Sequence, residues 1–376
     1  MKSELPAAIS HAFERQAHPY HMWDGIQSIP AGMEDILDPQ VLQAIHSAAV
    51  SMQAKTTIHL MGCGTSYFAA GAIAQAFQQI ARRPAYAWEA FEFLAYPPVD
   101  IAESALVAIS HMGSTPPVVQ AIDLGRANGA CTISYTDVVP SALSQSSEWV
   151  VASKLGAEPA LPKTRSYASA LMRGYLEAVE LSRLENRPVE DWEDALRRAP
   201  AIASQVISAS EEQARSLAEA WVTCRRIIVS GGGPQHATAQ EGMLKLTEAA
   251  RFNSVAWEIE EAVHGTWAST IEDDLLILLA MDGPCYESAV RLAGGMKTVG
   301  SKVWVITNCA WNETAVDAVT SLPGGEPEIL MPLYAILPIY LFTYFMALAK
   351  NLSPDNMGLT DPRLLDARMQ MSSSLL

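Results

Sequence analysis

Short apolar runs recur along this chain in a constant relation to glycine turns and to long stretches with helical periodicity. Residues 57–62 (TIHLMG) lead into Cys63-Gly64-Thr65-Ser66, and residues 226–231 (RIIVSG) lead into Gly232-Gly233-Pro234-Gln235. Two further pairs follow in the same order: ALVAIS at 105–110 with DLLILLA at 274–280, and ACTISYTD at 130–137 with SKVWVITN at 301–308. Partners stay near 170 residues apart, so order and spacing are both kept, the mark of an internal repeat. Uninterrupted apolar strands alternating with helices predict a parallel sheet covered on both faces. The fold class expected is α/β, built as two tandem doubly wound parallel-sheet domains.

The repeat sets the expected domains: an N-terminal arm over 1–33, a first α/β domain over 34–190, a second over 191–350 and a C-terminal tail over 351–376. Residues 180–212, charged and helix-prone, are the expected connection. The 376 residues are 49% hydrophobic and 18% charged, which is ample for two cores and excludes a mainly disordered chain. Against 25 basic side chains stand 41 acidic ones, a net charge of −16. Affinity for a phosphate backbone rests on Lys and Arg, so no nucleic-acid partner is expected. A local anion site on backbone N–H groups remains compatible with that charge. The five cysteines are scattered without a C-x-x-C pair and read as reduced thiols of a cytoplasmic protein. The first 21 residues lack the apolar core of an export signal. Residues 329–349 carry no charge and are long enough to span a bilayer. Pro332 and Pro338 interrupt them, so the stretch reads as a buried core or subunit-interface helix and no membrane partner is expected.

Candidate chemistry gathers at four places. Gly62-Cys63-Gly64-Thr65-Ser66 lets backbone N–H groups face an anion beyond a strand end, with two hydroxyls beside them; its plain alternative is a tight turn with an N-cap. It lacks the third glycine of a dinucleotide fingerprint, and no Gly-Lys-Ser/Thr of a P-loop exists in the chain. Ser110-His111-Met112-Gly113-Ser114-Thr115 follows another apolar strand, and the two Ser/Thr turns together favour a phosphate over mere capping. Glu241, Lys245 and Glu248 share a helical face, either as a solvated ion pair or as a general base with a lysine tuning it. His264, preceded by Glu258, Glu260 and Glu261 and followed by Gly265, can move protons near neutrality. No ligand spacing supports a metal there, and no cofactor is expected.

The ordered set GCGTS (62–66), ISHMGST (109–115), KTRSY (163–167), QEGMLKLTE (240–248), EEAVHG (260–265) and TDPRLL (360–365) resembles the double SIS-domain sugar-phosphate proteins. In layout it is most similar to the isomerase half of glutamine–fructose-6-phosphate amidotransferases and to fructosamine-6-phosphate deglycases. The resemblance implies flavodoxin-like three-layer domains. It implies that Gly64, Thr65 and Ser66, with Ser110 and Thr115, hold a sugar phosphate. It further implies that Glu248 shuttles a proton between C1 and C2, with Glu241 and Lys245 in support, and that His264 opens the sugar ring from a neighbouring subunit, making a homodimer necessary.

Departures from the family pattern shape what is expected. Its second loop usually reads S-x-S-G-E-T, so Met112 removes a hydroxyl and Ser114 a carboxylate. Lys163 stands where a small polar residue normally touches the sugar; with His111 it signals either an extra anionic group on the substrate or an internal salt bridge. The Schiff-base lysine of the amidotransferases falls opposite Ala367, and the adjacent Arg368 cannot form an imine. No glutaminase half is seen. The expected function is therefore isomerisation or deglycation (C–N cleavage) of a sugar or amino-sugar phosphate. The alternative is a non-catalytic regulatory protein that binds a sugar phosphate.

Overall fold

The computed structural model describes residues 10–313 and 315–371, so the outer ends of the expected arm and tail lie outside the described residues. Two compact units divide the chain: a first of residues 29–157 and 165–201, and a second of residues 1–28, 158–164 and 202–376.

In the first unit the elements run α1 (Pro39–Met52), β1 (Thr57–Gly62), α2 (Thr65–Gln79), β2 (Ala85–Glu89), β3 (Ser104–Ile109), α3 (Pro116–Ala127), β4 (Cys131–Thr136), β5 (Trp149–Ala152) and α4 (Arg165–Leu184), with shorter helices between them. All strand pairs are parallel and the order is β2-β1-β3-β4-β5. Every residue of β3 and β4 is buried, which is why both read as continuous apolar runs. Val118, Ala121 and Ile122 of α3 pack on Leu106 and Ala108 of β3. Helices α1 and α2 pack against α4, where Gly174 leaves room for the Ile73 side chain.

A 31-residue helix, α5 (Glu190–Ala220), carries the chain from the first unit into the second, where residue 201 gives way to 202. The expected connection over 180–212 is thus the end of α4, a short break and most of this helix. In the second unit follow β6 (Arg226–Gly231), α6 (Pro234–Glu248), β7 (Ser254–Glu258), β8 (Asp274–Leu279), α7 (Tyr286–Val299), β9 (Lys302–Thr307), β10 (Ala318–Ser321), α8 (Pro332–Ala349) and α9 (Pro362–Met371). The sheet is again all parallel, in the order β10-β9-β8-β6-β7. Read from β7, this is the topology of the first unit. Helix α8 is long and apolar enough to cross a membrane, and its apolar window is entirely buried; it packs against α6 and β9.

In both sheets the strand order reverses beside the first strand, between β1 and β3 and between β6 and β8. Such a reversal opens a crevice at the carboxyl ends of the strands, the usual ligand position in open α/β sheets.

Candidate functional site

In the first unit the chain leaves β1 through a turn that only glycine accommodates. Gly64, with φ 55° and ψ −126°, is the N-cap of α2, and no side chain caps that helix. A Cβ on Gly62 would lie 2.6 Å from the Ser66 backbone, so this glycine permits the close passage of strand and helix. Thr65 and Ser66 are half-buried and line one cavity with His111, Asp137, Ser166 and Arg173. Capping therefore does not consume their hydroxyls, and the positive end of the α2 dipole lies at this turn. Cys63, in the same turn, donates to Glu89 at 3.1 Å. Burial, reinforced by Glu89, pushes its thiol up to about 12, so it is no thiolate nucleophile.

The second loop closes on itself. Ser110 Oγ lies 3.1 Å from Thr115 Oγ1 and accepts from the Gly113 N–H at 3.2 Å. Met112 and Ser114 are exposed. His111 turns inward, its Nδ1 2.7 Å from Asp137 Oδ2, and the other Asp137 oxygen accepts from Arg173. Of the two readings of His111, a contact with a carboxylate inside the fold is the one present. Burial alone would raise the Asp137 carboxyl, but Arg173 and His111 outweigh it and hold the group well below the usual carboxylate range.

One turn along α4 from Arg173, Glu177 is fully buried and accepts from the Tyr135 hydroxyl. Burial pushes its carboxyl up to about 8, against the opposing effect of the Tyr135 bond. Asp137, Arg173, Tyr135 and Glu177 escaped the sequence reading. Arg173 and Glu177 look there like an ordinary i,i+4 surface pair, and only the packing of α4 on β4 turns them inward.

The second unit carries the other expected residues. Glu241 and Lys245 are buried on α6 and Glu248 is half-buried at its last turn. Lys245 Nζ is 2.5 Å from Glu248 Oε2 and 3.7 Å from Glu241 Oε1, and the Tyr340 hydroxyl of α8 donates to Glu241 at 2.9 Å. Burial works against the ammonium, but Glu241 and Glu248 more than offset it, with Glu158 contributing, so its pKa lies above the ordinary lysine value. The solvated-pair alternative for these three residues is excluded by that burial. Glu158 and Tyr340, distant in sequence, were not legible as members of the cluster.

Lys163 directs its ammonium to the carbonyls of Glu158 and Ala160 at 2.8 and 2.7 Å. His264, in a 3-10 turn before Gly265, is exposed. The Glu258 carboxylate ahead of it accepts from the Glu260 and Glu261 N–H groups, both at 2.8 Å, so it caps the turn and does not orient the imidazole. Thr65, Ser66, Ser110, His111 and Thr115 thus belong to the first unit, and Glu241, Lys245, Glu248, Lys163 and His264 to the second.

The repeat is not functionally even. Gly233 copies Gly64, with φ 56° and ψ −131°, yet Pro234 and Gln235 replace Thr65 and Ser66. After β8 stands Asp282, whose charge adds to burial in raising the Glu328 carboxyl, and Glu328 approaches Gly283 closely. Two carboxylates where the first unit has hydroxyls make this turn repel an anion. Among the described residues no cluster of three His, Cys, Asp or Glu side chains is arranged to hold a metal.

A family model described as SIS domain matches residues 51–179 and again 222–349. The chain belongs to the SIS-domain family. Each SIS match covers one of the two five-stranded sheets. The chain is 26% identical over 357 residues to a glutamine–fructose-6-phosphate aminotransferase (isomerizing) of Caldanaerobacter subterraneus, an alignment spanning 92% of this chain and 58% of that protein. The SIS chain therefore spans a little over half the length of that curated relative. The C-terminal domain of glucosamine-fructose-6-phosphate aminotransferase from Francisella tularensis superposes with a TM-score of 0.82 at 18% identity, covering 91% of this chain and 99% of the other. Tagatose-6-phosphate ketose/aldose isomerase from Escherichia coli gives a TM-score of 0.75 at 17% identity, over 92% and 96%. At these identities the superpositions establish a shared fold.

Proposed function

We propose that this chain binds a phosphorylated sugar or amino sugar and moves a proton between C1 and C2 of its open-chain form. The phosphate is assigned to the α2 N-terminus with Gly64, Thr65 and Ser66, and to the loop of Ser110 and Thr115. Glu248 takes and returns the proton. The observation that carries this reading is the buried Lys245 ammonium 2.5 Å from Glu248. A fixed cation lies against the Glu248 carboxylate, the group assigned to accept a proton from carbon, and Glu241 with Tyr340 holds the lysine in place.

Ene-diol chemistry of this kind needs a carboxylate, a polarised carbonyl and exclusion of water. Its outcome is aldose–ketose isomerisation, or C–N cleavage where the substrate carries its own amine. The relatives named for isomerising activity support the first outcome. His264 is assigned to ring opening in a second copy of the chain, in a homodimer. Supporting that assignment, the exposed imidazole sits beside the exposed apolar side chains Val263 and Trp267, which line a groove with Met296 and Val299.

The test is proton NMR in D₂O with fructose 6-phosphate, glucosamine 6-phosphate and fructoselysine 6-phosphate, with wild type beside Glu248→Gln. Deuterium uptake at C1 or C2 by wild type alone supports the shuttle, and release of free lysine selects cleavage. Equal saturation-transfer contacts in both proteins without exchange would replace it with the non-catalytic sugar-phosphate binder.

A further inference from the structure

We propose that Arg173 is a two-position guanidinium in the core of the first unit. It holds Asp137 while Glu177 carries a proton, and it turns to Glu177, loosening its hold on Asp137, once that proton has passed to solvent.

Two buried carboxylates compete for this one cation. Glu177 is 0% exposed and Arg173 1%, one turn apart on α4, and Asp137, just past the end of β4, is 4% exposed. In the arrangement present the guanidinium donates to Asp137 and, with His111, outweighs burial there, so that carboxyl is ionised. Glu177 has no such support. Its Oε2 accepts from the Tyr135 hydroxyl, its Oε1 has no hydrogen-bond partner, and the Tyr135 bond alone opposes the effect of burial. A carboxylate stripped of water without a cation is costly, so this is the arrangement of a protonated Glu177.

The guanidinium is also incompletely used. The Arg173 Nε–H is buried without a partner, although a guanidinium carries five N–H donors and can serve more than one carboxylate. An unmade donor and an unmade acceptor thus stand on side chains four residues apart on one helical face, the spacing at which Arg and Glu meet. Ionisation of Glu177 leaves a buried charge that must find a cation, and the other cations of α4 are committed. Arg165 donates to the Gly156 carbonyl, and Arg183 pairs with Glu180 and Glu193.

None of the other titratable groups packed around α4 substitutes for Arg173. Tyr135 and Cys131 of β4 face Glu177, and burial raises both, so they keep their protons. His46 of α1 is held by Glu180. Helix α2 brings Tyr67, and the short helix over 29–36 brings Glu34 and Asp35, none of them a cation. Release of Asp137 has a path outward, because its N–H donates to the His111 carbonyl at 3.0 Å and so ties it to the loop after β3.

Nitrogen-resolved NMR of the whole chain from about pH 6.5 to about 9.5 tests this, a range that brackets the Glu177 carboxyl. In wild type the Arg173 Nε–H signal and the backbone N–H signals of Gly113 and Asp137 should move together with one midpoint. In Glu177→Gln, which cannot ionise, they should stay at their low-pH positions. Asp137→Asn removes the competing carboxylate and should lower the midpoint read at Arg173 by about one pH unit or more, a tenfold change in proton affinity. Plain burial of Glu177 without sharing changes the stability profile but leaves the Arg173 Nε–H signal still, and a still signal in wild type would overturn the proposal. The same movement in Glu177→Gln, or an unchanged midpoint in Asp137→Asn, would overturn it as well. Should Asp137→Asn fail to fold, wild type against Glu177→Gln decides alone.

Discussion

The Lys245 ammonium lies 2.5 Å from the Glu248 carboxylate while itself only 1% exposed, so a lysine three residues from its partner along α6 is removed from water entirely. Coulomb attraction across so short a gap, in surroundings of low polarity, offsets the burial of the ammonium and keeps the lysine charged. Glu248, half-buried at the end of the helix, is the more exposed member of the pair.

The Glu248→Gln variant keeps shape and hydrogen bonding but cannot accept a proton. Its exchange rate at C1 or C2 should fall by about 10²–10⁴, the usual contribution of a general base, while sugar-phosphate affinity stays within a few fold. NMR exchange beside calorimetry separates the two quantities.

Replacing the lysine is a different experiment. Lys245→Met takes the ammonium away from the fully buried Glu241, which also accepts from Tyr340, and removes the cation from Glu248. Breaking a buried pair in this way should cost about 3–5 kcal/mol, read from the denaturant midpoint at constant slope. A loss below about 1 kcal/mol would show that the cluster is wetter than the structure indicates.

Glu177 makes stability depend on pH in a stated direction. Its carboxyl is raised from 4.5 to about 8 by burial, so the folded chain keeps a proton that the unfolded chain releases. The contribution is therefore whole below about pH 4.5 and is lost as pH rises towards 8, with a slope of up to about 1.4 kcal/mol per pH unit. Glu177→Gln, which cannot ionise, should gain on wild type across that window. Parallel stability profiles for the two proteins would refute the shift.

The glycine turn after β1 is tested by Gly64→Ala. At φ 55° and ψ −126° a Cβ is strained whatever space surrounds it, at a cost of about 1–3 kcal/mol. Phosphate affinity should fall with stability, because the same turn aims the α2 N–H groups.

His264 offers a test of subunit exchange. If it serves the partner's site, His264→Asn and Glu248→Gln are each inactive alone. Unfolding and refolding them together should restore roughly a quarter of wild-type turnover, since half of randomly assorted C2 dimers carry one intact site. No recovery would place the imidazole in its own subunit's chemistry or outside it.

The six strands recognised as apolar runs, β1, β3 and β4 with β6, β8 and β9, are the central ones, buried on both faces along nearly their whole length. Such strands need no alternation and stand out by composition. The four others, β2, β5, β7 and β10, are the sheet edges, each with a single buried residue, and their mixed composition hides them. Glycine turns, the tandem repeat and the Glu241, Lys245 and Glu248 face were therefore determined by sequence alone, through local backbone requirements and helical period.

What only the tertiary structure decided are the groups that packing brings together across long separations. Arg173 meets Asp137 and His111, Tyr135 meets Glu177, Tyr340 meets Glu241, and Glu158 adds its charge to Lys245. Each was invisible in sequence because a charged or hydroxyl side chain has the same letter whether it faces water or a core. Burial removes the competing solvent and makes the partner obligatory, and only the packing of one element on another determines which side chains are buried.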